Sequence, residues 1–260
     1  MNQEAVDLLC CPACNGELTQ RINKNPVDDS PPGFYCVKCD LDYPEIDGYV
    51  NFLGNIIMDY SSRREKIVRS VYAKYYTKLN NFLFLFCGGA ENARKEVLDQ
   101  LDLKDNQSVL ETGMGAGENY LRMNRQAKNL RFYGIDIQEQ MMLHCIKNTK
   151  EWGINVNLFR SDAALLPFKD NKFDVVFHLG AINLFPDKGK AIMEMIRVAR
   201  PGTTLVIADE TDKASKYFNF FTGSNEKTIP PIGLIPGDML NITMKIIWRG
   251  FGYVIRFKKP

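Results

Sequence analysis

Residues 109–120, "VLETGMGAGENY", run from an apolar, strand-like entry through an acid and three alternate glycines to a polar, helix-like exit. Glycines at 113, 115 and 117 carry no Cβ, so the backbone there can approach a ligand that any larger residue would hold off. A dinucleotide loop needs G-x-G-x-x-G, but here the sixth position counted from Gly113 is Glu118. A carboxylate is a poor neighbour for a pyrophosphate, and an acceptable one for a ligand carrying a sulfonium and an ammonium.

Working outward, "SVLETG" is a buried strand ending at Gly113. "RFYGID" is a second, ending in Asp136, where an acid can accept hydrogen bonds from both hydroxyls of a ribose. "NVNLFRSD" ends in Asp162. "FDVVFHLG" is the continuous apolar run of a parallel strand covered on both faces, ending near His178, and "TTLVIADE" ends in Asp209 and Glu210. Between them lie helical stretches, with Met141, Met142, Cys145, Ile146 and Thr149 on one apolar face and Ile192, Met195, Ile196 and Ala199 on another, which read as core. Alternating strands and helices give an open, mostly parallel sheet that binds ligands at the carboxyl ends of its strands, where Glu111, Asp136, Asp162 and His178 all fall. "TMKIIW" and "GYVIRFKKP", around Arg249-Gly250, read as a closing antiparallel hairpin.

These motifs, with "SDAALLPFKDNKFDVVFHLGAINLFPD" and "RVARPGTTLVIADE", together resemble the class I S-adenosylmethionine-dependent methyltransferases, in particular the quinone-biosynthesis-like (methyltransferase type 11) group, over residues 100 to 260. The resemblance implies a Rossmann-like α/β fold with S-adenosyl-L-methionine in the glycine loop. It places Glu111 and Gly113 beside the methionine portion, Asp136 on the ribose diol, Ile137 against the adenine face, and Asp162 on the adenine amino group with Ala163 alongside. The bland alternative for each acid is a solvated strand end. His178 is the candidate general base, against a pocket wall or a satisfied core histidine.

At the other end of the chain the cysteines decide. Five of seven lie in the first 39 residues, with Cys11 and Cys14 in one C-x-x-C, and Cys36 and Cys39 in a second 21 residues on. Two such knuckles supply the four soft thiolates of a tetrahedral structural zinc with no open position; the alternative is buried thiols without metal. Cys10 stands outside the set. "LLCCPACNGEL … FYCVKCDLDYPEIDGYVNFL" resembles the zinc-ribbon family that activates tRNA and protein methyltransferases, and also the zinc segment of certain rRNA guanine methyltransferases.

The expected organisation is a zinc ribbon over 1–57, a helical connector over 58–103 and the cofactor-binding domain over 104–260. In the connector, Ile67, Val71 and Tyr75 share a helical stripe, and aromatics such as Tyr72, Tyr76, Phe82 and Phe86 either pack or wall an apolar acceptor site. An apolar fraction of 45% and a charged fraction of 25% exclude disordered and fibrous classes. No basic start precedes the first apolar run, and "FLFLFCGGA" is too short to span a bilayer, so a cytoplasmic protein is expected.

Charge is uneven. Residues 1–50 hold three Lys/Arg against nine Asp/Glu, whereas residues 241–260 hold five Lys/Arg and no acid. Phosphate contacts require cations, so the acidic front end argues against nucleic acid as its ligand. The Asn/Asp-Pro-Pro-aromatic motif of DNA and amide-nitrogen methyltransferases is replaced by "HLGAIN". The leading expectation is methyl transfer to a small apolar or aromatic metabolite. An rRNA or tRNA enzyme that docks substrate through the ribbon is the second, and a non-catalytic partner protein the third. The ribbon is also the candidate surface for a protein partner or for self-association.

Overall fold

The computed structural model describes residues 3–21, 31–53, 88–214 and 228–260. The expected stripe at Ile67, Val71 and Tyr75, and the connector aromatics from Tyr72 to Phe86, lie outside these residues, as does the boundary expected near residue 57.

The buried strands sit where their apolar runs predict. β5 (Ser108–Thr112), β6 (Arg131–Asp136), β7 (Val156–Arg160), β8 (Val175–Leu179) and β9 (Thr204–Glu210) pair in parallel in the order β7-β6-β5-β8-β9. β5 and β8 are buried at every position, so both faces must be covered, and they are. On one face lie α2 (Ala90–Leu98), α3 (Glu118–Gln126) and α4 (Glu139–Trp152), around Val97, Tyr120, Met123, Met142 and Cys145; the other carries α5 (Lys188–Val198), around Ile192, Met195 and Ile196. The methionine stripes are therefore core. Fully burying one such side chain contributes roughly 1.5–3 kcal/mol relative to leaving it exposed.

The hairpin closes the sheet as expected. β11 (Gly252–Lys258) runs antiparallel to β9 and to the outer strand β10 (Leu240–Ile247). The fold is thus Rossmann-like, mostly parallel, with antiparallel strands at its carboxyl-terminal end.

The front end folds as antiparallel strands β1 (Thr19–Arg21), β2 (Gly33–Cys36), β3 (Leu41–Ile46) and β4 (Tyr49–Asn51), preceded by a short helix, α1 (Gln3–Asp7). β4 then pairs in parallel with β7, Val50 opposite Phe159 and Asn51 opposite Arg160, so that eleven strands form one sheet. A second seam runs beside it: Leu9 bridges Phe168, the Cys10 N–H donates to the Pro167 carbonyl at 3.0 Å, and the Lys169 N–H donates to the Leu8 carbonyl at 2.8 Å. The segment following Asp162 is therefore stitched to the front end as well as to α5, where Arg197 pairs with Glu194 and Asp170.

Candidate active site

The glycine loop leaves β5 with Gly113, Gly115 and Gly117 at φ 67, 56 and 75°. That left-handed backbone costs little without a Cβ. At Gly117 a Cβ would also meet the Cys145 Sγ at 2.6 Å, so space as well as torsion requires glycine. Gly117 is the N-cap of α3, whose first turn points backbone N–H groups at the loop.

Asp136, at the end of β6, fastens this loop. One carboxylate oxygen accepts from the Gly115 N–H at 3.0 Å and the other from the Gln138 N–H at 2.9 Å. Burial raises its pKa and these bonds oppose the rise. A carboxylate has about four acceptor directions, so with the Gly115, Gln138 and Ile137 N–H groups on it acceptor capacity remains for a ligand hydroxyl. Asp162, beyond the end of β7, accepts from the Ala164 N–H at 2.9 Å. Ala163 beside it is buried, and Ile137 is half-buried next to Asp136.

Glu111 is the most unusual group in the loop. It is 1% exposed, Oε1 accepts from the Asn119 amide at 2.5 Å, and Oε2 is buried without a hydrogen-bond partner among the described residues. Burial is the main reason its pKa rises to about 8. Arg94, on α2, donates to the Asn119 carbonyl oxygen at 3.0 Å and pairs with Glu118. Glu118, the acid that disqualified the loop as a pyrophosphate cradle, is thus half of an ion pair. Sequence reading missed Arg94 and Asn119; the available signal was a cation beside Ala93 and Val97 on the buried stripe of α2.

His178 lies across the sheet. Its register partner is Thr112, whose hydroxyl touches the Met195 sulfur, so both face α5 while Glu111 faces α3. The ring is fully buried, Nδ1 is 2.7 Å from the Thr112 carbonyl, and Nε2 has no hydrogen-bond partner among the described residues. Burial pulls its pKa down to about 4. Phe185 packs edge-on against the ring, centroids 5.0 Å apart. An open cavity of about 200 Å³ begins there, lined by Asp162, Ala164, Leu165, Phe185, Pro186 and Lys190, among others. The structure therefore brings Glu111, the glycines and Asp136 together, with Asp162 along the same strand ends, and sets His178 on the opposite face.

These groups fit S-adenosylmethionine. An orphaned buried carboxylate oxygen suits a cationic methionine portion, the loop backbone takes the left-handed torsions that glycine allows, and Asp136 keeps acceptor capacity for a ligand hydroxyl.

In the front end, the Sγ atoms of Cys11, Cys14, Cys36 and Cys39 all lie within 4.8 Å of one another, with Cys14 and Cys36 at 3.6 Å. Tyr43 sets its hydroxyl 3.1 Å from the Cys11 sulfur. Cys10 points elsewhere, 4.0 Å from the Asn15 side chain, and burial raises its pKa to about 11.

Residues 103–229 match the family model described as a methyltransferase domain. Over 187 residues the chain is 27% identical to the Rickettsia felis ubiquinone/menaquinone biosynthesis C-methyltransferase UbiE, covering 68% of this chain and 73% of that one. A demethylmenaquinone methyltransferase of Lactiplantibacillus plantarum is 32% identical over 140 residues, or 52% of this chain and 57% of the relative. Among solved structures, a chain from a complex containing the Haloferax volcanii Trm112 methyltransferase activator superposes with a TM-score of 0.59 at 16% identity. That match covers 73% of this chain and 96% of the other, and it speaks for the fold alone. Residues 103–229 thus match a methyltransferase domain, the relatives aligned with the chain are named as methyltransferases, and the chain is an S-adenosylmethionine-dependent methyltransferase.

Proposed function

We propose that the enzyme methylates a small, apolar or aromatic metabolite. The observation that carries this reading is the alignment over 68% of the chain with a protein named as a quinone-biosynthesis C-methyltransferase. The apolar rim of Leu165, Phe185 and Pro186 at the strand ends and the acidic front end agree with it, the latter because phosphate-bearing substrates need cations.

When bound, the cofactor would supply a methyl group already activated by its sulfonium for in-line transfer to the acceptor, its sulfur ending as a neutral thioether and the acceptor's proton passing to solvent. The chain's residues then have three tasks. Glu111 meets the cationic methionine end, with Asn119 and Arg94 fixing its orientation. Asp136, Ile137, Asp162 and Ala163 hold the nucleoside. The walls around Phe185 align the acceptor and exclude water. No dedicated base is needed where the acceptor is itself electron-rich.

The four thiolates form, in the same proposal, a structural zinc site. A tetrahedron with zinc–sulfur bonds near 2.3 Å sets its sulfurs about 3.8 Å apart, a spacing the cluster nearly has. Four protein ligands leave no open position, so this metal holds the ribbon and takes no part in the transfer. The units are the ribbon over 1–57, the connector over 58–103 and the catalytic domain over 104–260, in a cytoplasmic protein. None of the six described cysteines is in a disulfide, and no helix among the described residues is long and apolar enough to cross a membrane.

Methyl-labelled S-adenosylmethionine and fractionated cell extract test the reading. Label in organic-soluble small molecules is expected. Label in RNA overturns it and makes the ribbon a substrate-docking module.

A further inference from the structure

We propose that His178 determines acceptor specificity: held in one neutral tautomer, it offers a bare Nε2 lone pair that selects acceptors carrying an O–H or N–H group, phenol-like molecules above all. This rests on the small-acceptor reading and narrows it to a substrate class.

The tautomer follows from one contact. The Thr112 carbonyl can only accept, so at 2.7 Å the Nδ1 atom must carry the proton. In a neutral ring the other nitrogen is then an acceptor with no hydrogen. The ring is neutral because it is wholly buried; its close neighbours are Thr112, Phe185 and the Gly113 backbone, and no carboxylate lies among the groups that shift it. A buried acceptor without a partner is destabilising and is rarely tolerated unless the working complex supplies the missing donor.

The position points to which complex. Along β8, His178 stands level with Thr112, one residue before the glycine loop, and its Cε1 lies 3.1 Å from where a Cβ on residue 113 would be. It therefore adjoins the cofactor loop from the side opposite Glu111. Phe185 covers the ring and also lines the open cavity, so a planar acceptor entering there displaces or slides along Phe185 to reach Nε2.

The loop carrying Phe185 is held in a specific and strained shape. Gly180 and Ala181 have φ 74 and 125°, and buried Asp209 accepts from the Asn183 N–H at 2.9 Å. Backbone strain in a non-glycine residue persists only where the surroundings impose it, and it gathers at functional loops. Here it sets Phe185 over the imidazole.

Because Nε2 can only accept, it rewards a donor and penalises an ether or a bare hydrocarbon. A hydroxyl donating to it becomes more electron-rich, which strengthens the nucleophilicity of the oxygen or of the ring carbons beside it. The imidazole need not take the proton away to have this effect.

The test compares binding of 2-naphthol and 2-methoxynaphthalene to protein saturated with S-adenosylhomocysteine. Wild type should prefer the naphthol about tenfold, the worth of one buried hydrogen bond. His178→Leu should abolish the preference while still binding the cofactor product, and His178→Gln, which keeps an acceptor oxygen, should restore part of it. Equal binding of the two probes by wild type, or a preference that survives His178→Leu, overturns the inference. Binding of S-adenosylhomocysteine with neither probe overturns the small-aromatic reading and this inference with it. Nitrogen NMR of the ring gives an independent check, since a proton on Nε2 at neutral pH would by itself refute the lone pair.

Discussion

The two ends of the sheet are held together in opposite ways. In the front end, three- to six-residue strands surround a small core of residues such as Phe34, Tyr43, Val50 and Phe52, and four sulfurs converge at its knuckles. In the other end, fully buried strands carry the stability, and the carboxyls of Glu111 and Asp136 sit at their tips, where burial raises their pKa. In the proposed reading the first region spends its polar groups on cohesion and the second holds them ready for a ligand. The contrast has consequences because the two regions share one sheet, with β4 on β7 and Leu8–Cys10 along Pro167–Lys169.

Removing the proposed zinc should have the largest effect. Structural zinc supplies roughly 10–16 kcal/mol in small modules of this kind, far beyond what so small a core replaces. Chelation, or Cys36→Ser, should unfold residues 3–53, read as loss of one bound zinc and rapid proteolysis of that segment. Because Phe52 donates to the Arg160 carbonyl at 2.8 Å and Asp162 lies two residues further on, cofactor affinity should fall as well. Calorimetric titration of the zinc-depleted protein with S-adenosylhomocysteine checks this. An unchanged affinity would mean that the shared sheet transmits nothing, and the comparison would reduce to two independent modules.

The next largest effect belongs to Glu111. With its pKa at about 8, the carboxyl is mostly protonated at neutral pH, and a cationic ligand must drive the proton off. Affinity for S-adenosylmethionine should therefore rise with pH, by up to tenfold per unit, and level off above about pH 8. Stability of the ligand-free protein should move the other way. An acid whose folded pKa is raised contributes stability below its unfolded value, and that contribution is lost as pH rises through 8. Glu111→Gln should flatten the binding profile and weaken binding about 10- to 100-fold at pH 8. Proton release measured in buffers of different ionisation enthalpy separates this from a general loss of fold.

What was legible in the sequence divides along the same line. The cysteine cluster and the strand ends are local patterns: cysteine spacing, glycine torsion and apolar runs each depend on a few consecutive residues, and the positions of Cys11, Gly113 and Asp136 in the fold could be read from them. The pairing of β4 with β7 joins residues more than a hundred positions apart, and no local period encodes it. Arg94 was hidden because helix residues are read by face, and a cation on a buried face has meaning only once Glu118 and Asn119 stand opposite. His178 was found as a position but not as a chemical species. Its protonation state comes from burial and from the Thr112 carbonyl, neither of which has a sequence signature.

Asp136 tests whether the cofactor end tolerates loss of a tether better than the front end tolerates loss of a ligand. Asp136→Asn keeps one acceptor oxygen but turns an amide donor toward either the Gly115 or the Gln138 N–H. Cofactor binding should weaken by about 1–3 kcal/mol, read by calorimetry, with little change in melting temperature. A large drop in melting temperature would show that Asp136 serves the fold before the ligand.

The smallest effect should come from Lys259, which lies outside both contrasted sites. Its ammonium donates to the carbonyls of Ile196 and Ala199, each at 2.8 Å, and to the Asn171 side chain at 2.7 Å, so it satisfies the carboxyl end of α5 and the segment beside it. A cation there also meets the negative end of the helix dipole. Lys259→Met keeps the aliphatic stem and removes the donors, and should cost about 1–2 kcal/mol of stability by urea unfolding. Neither zinc content nor cofactor affinity should move, because Lys259 touches neither the thiolates nor the strand tips. If cofactor affinity falls with stability, α5 is transmitting strain through Met195 to Thr112 and His178. The second face of the sheet would then join the first as part of the binding machinery.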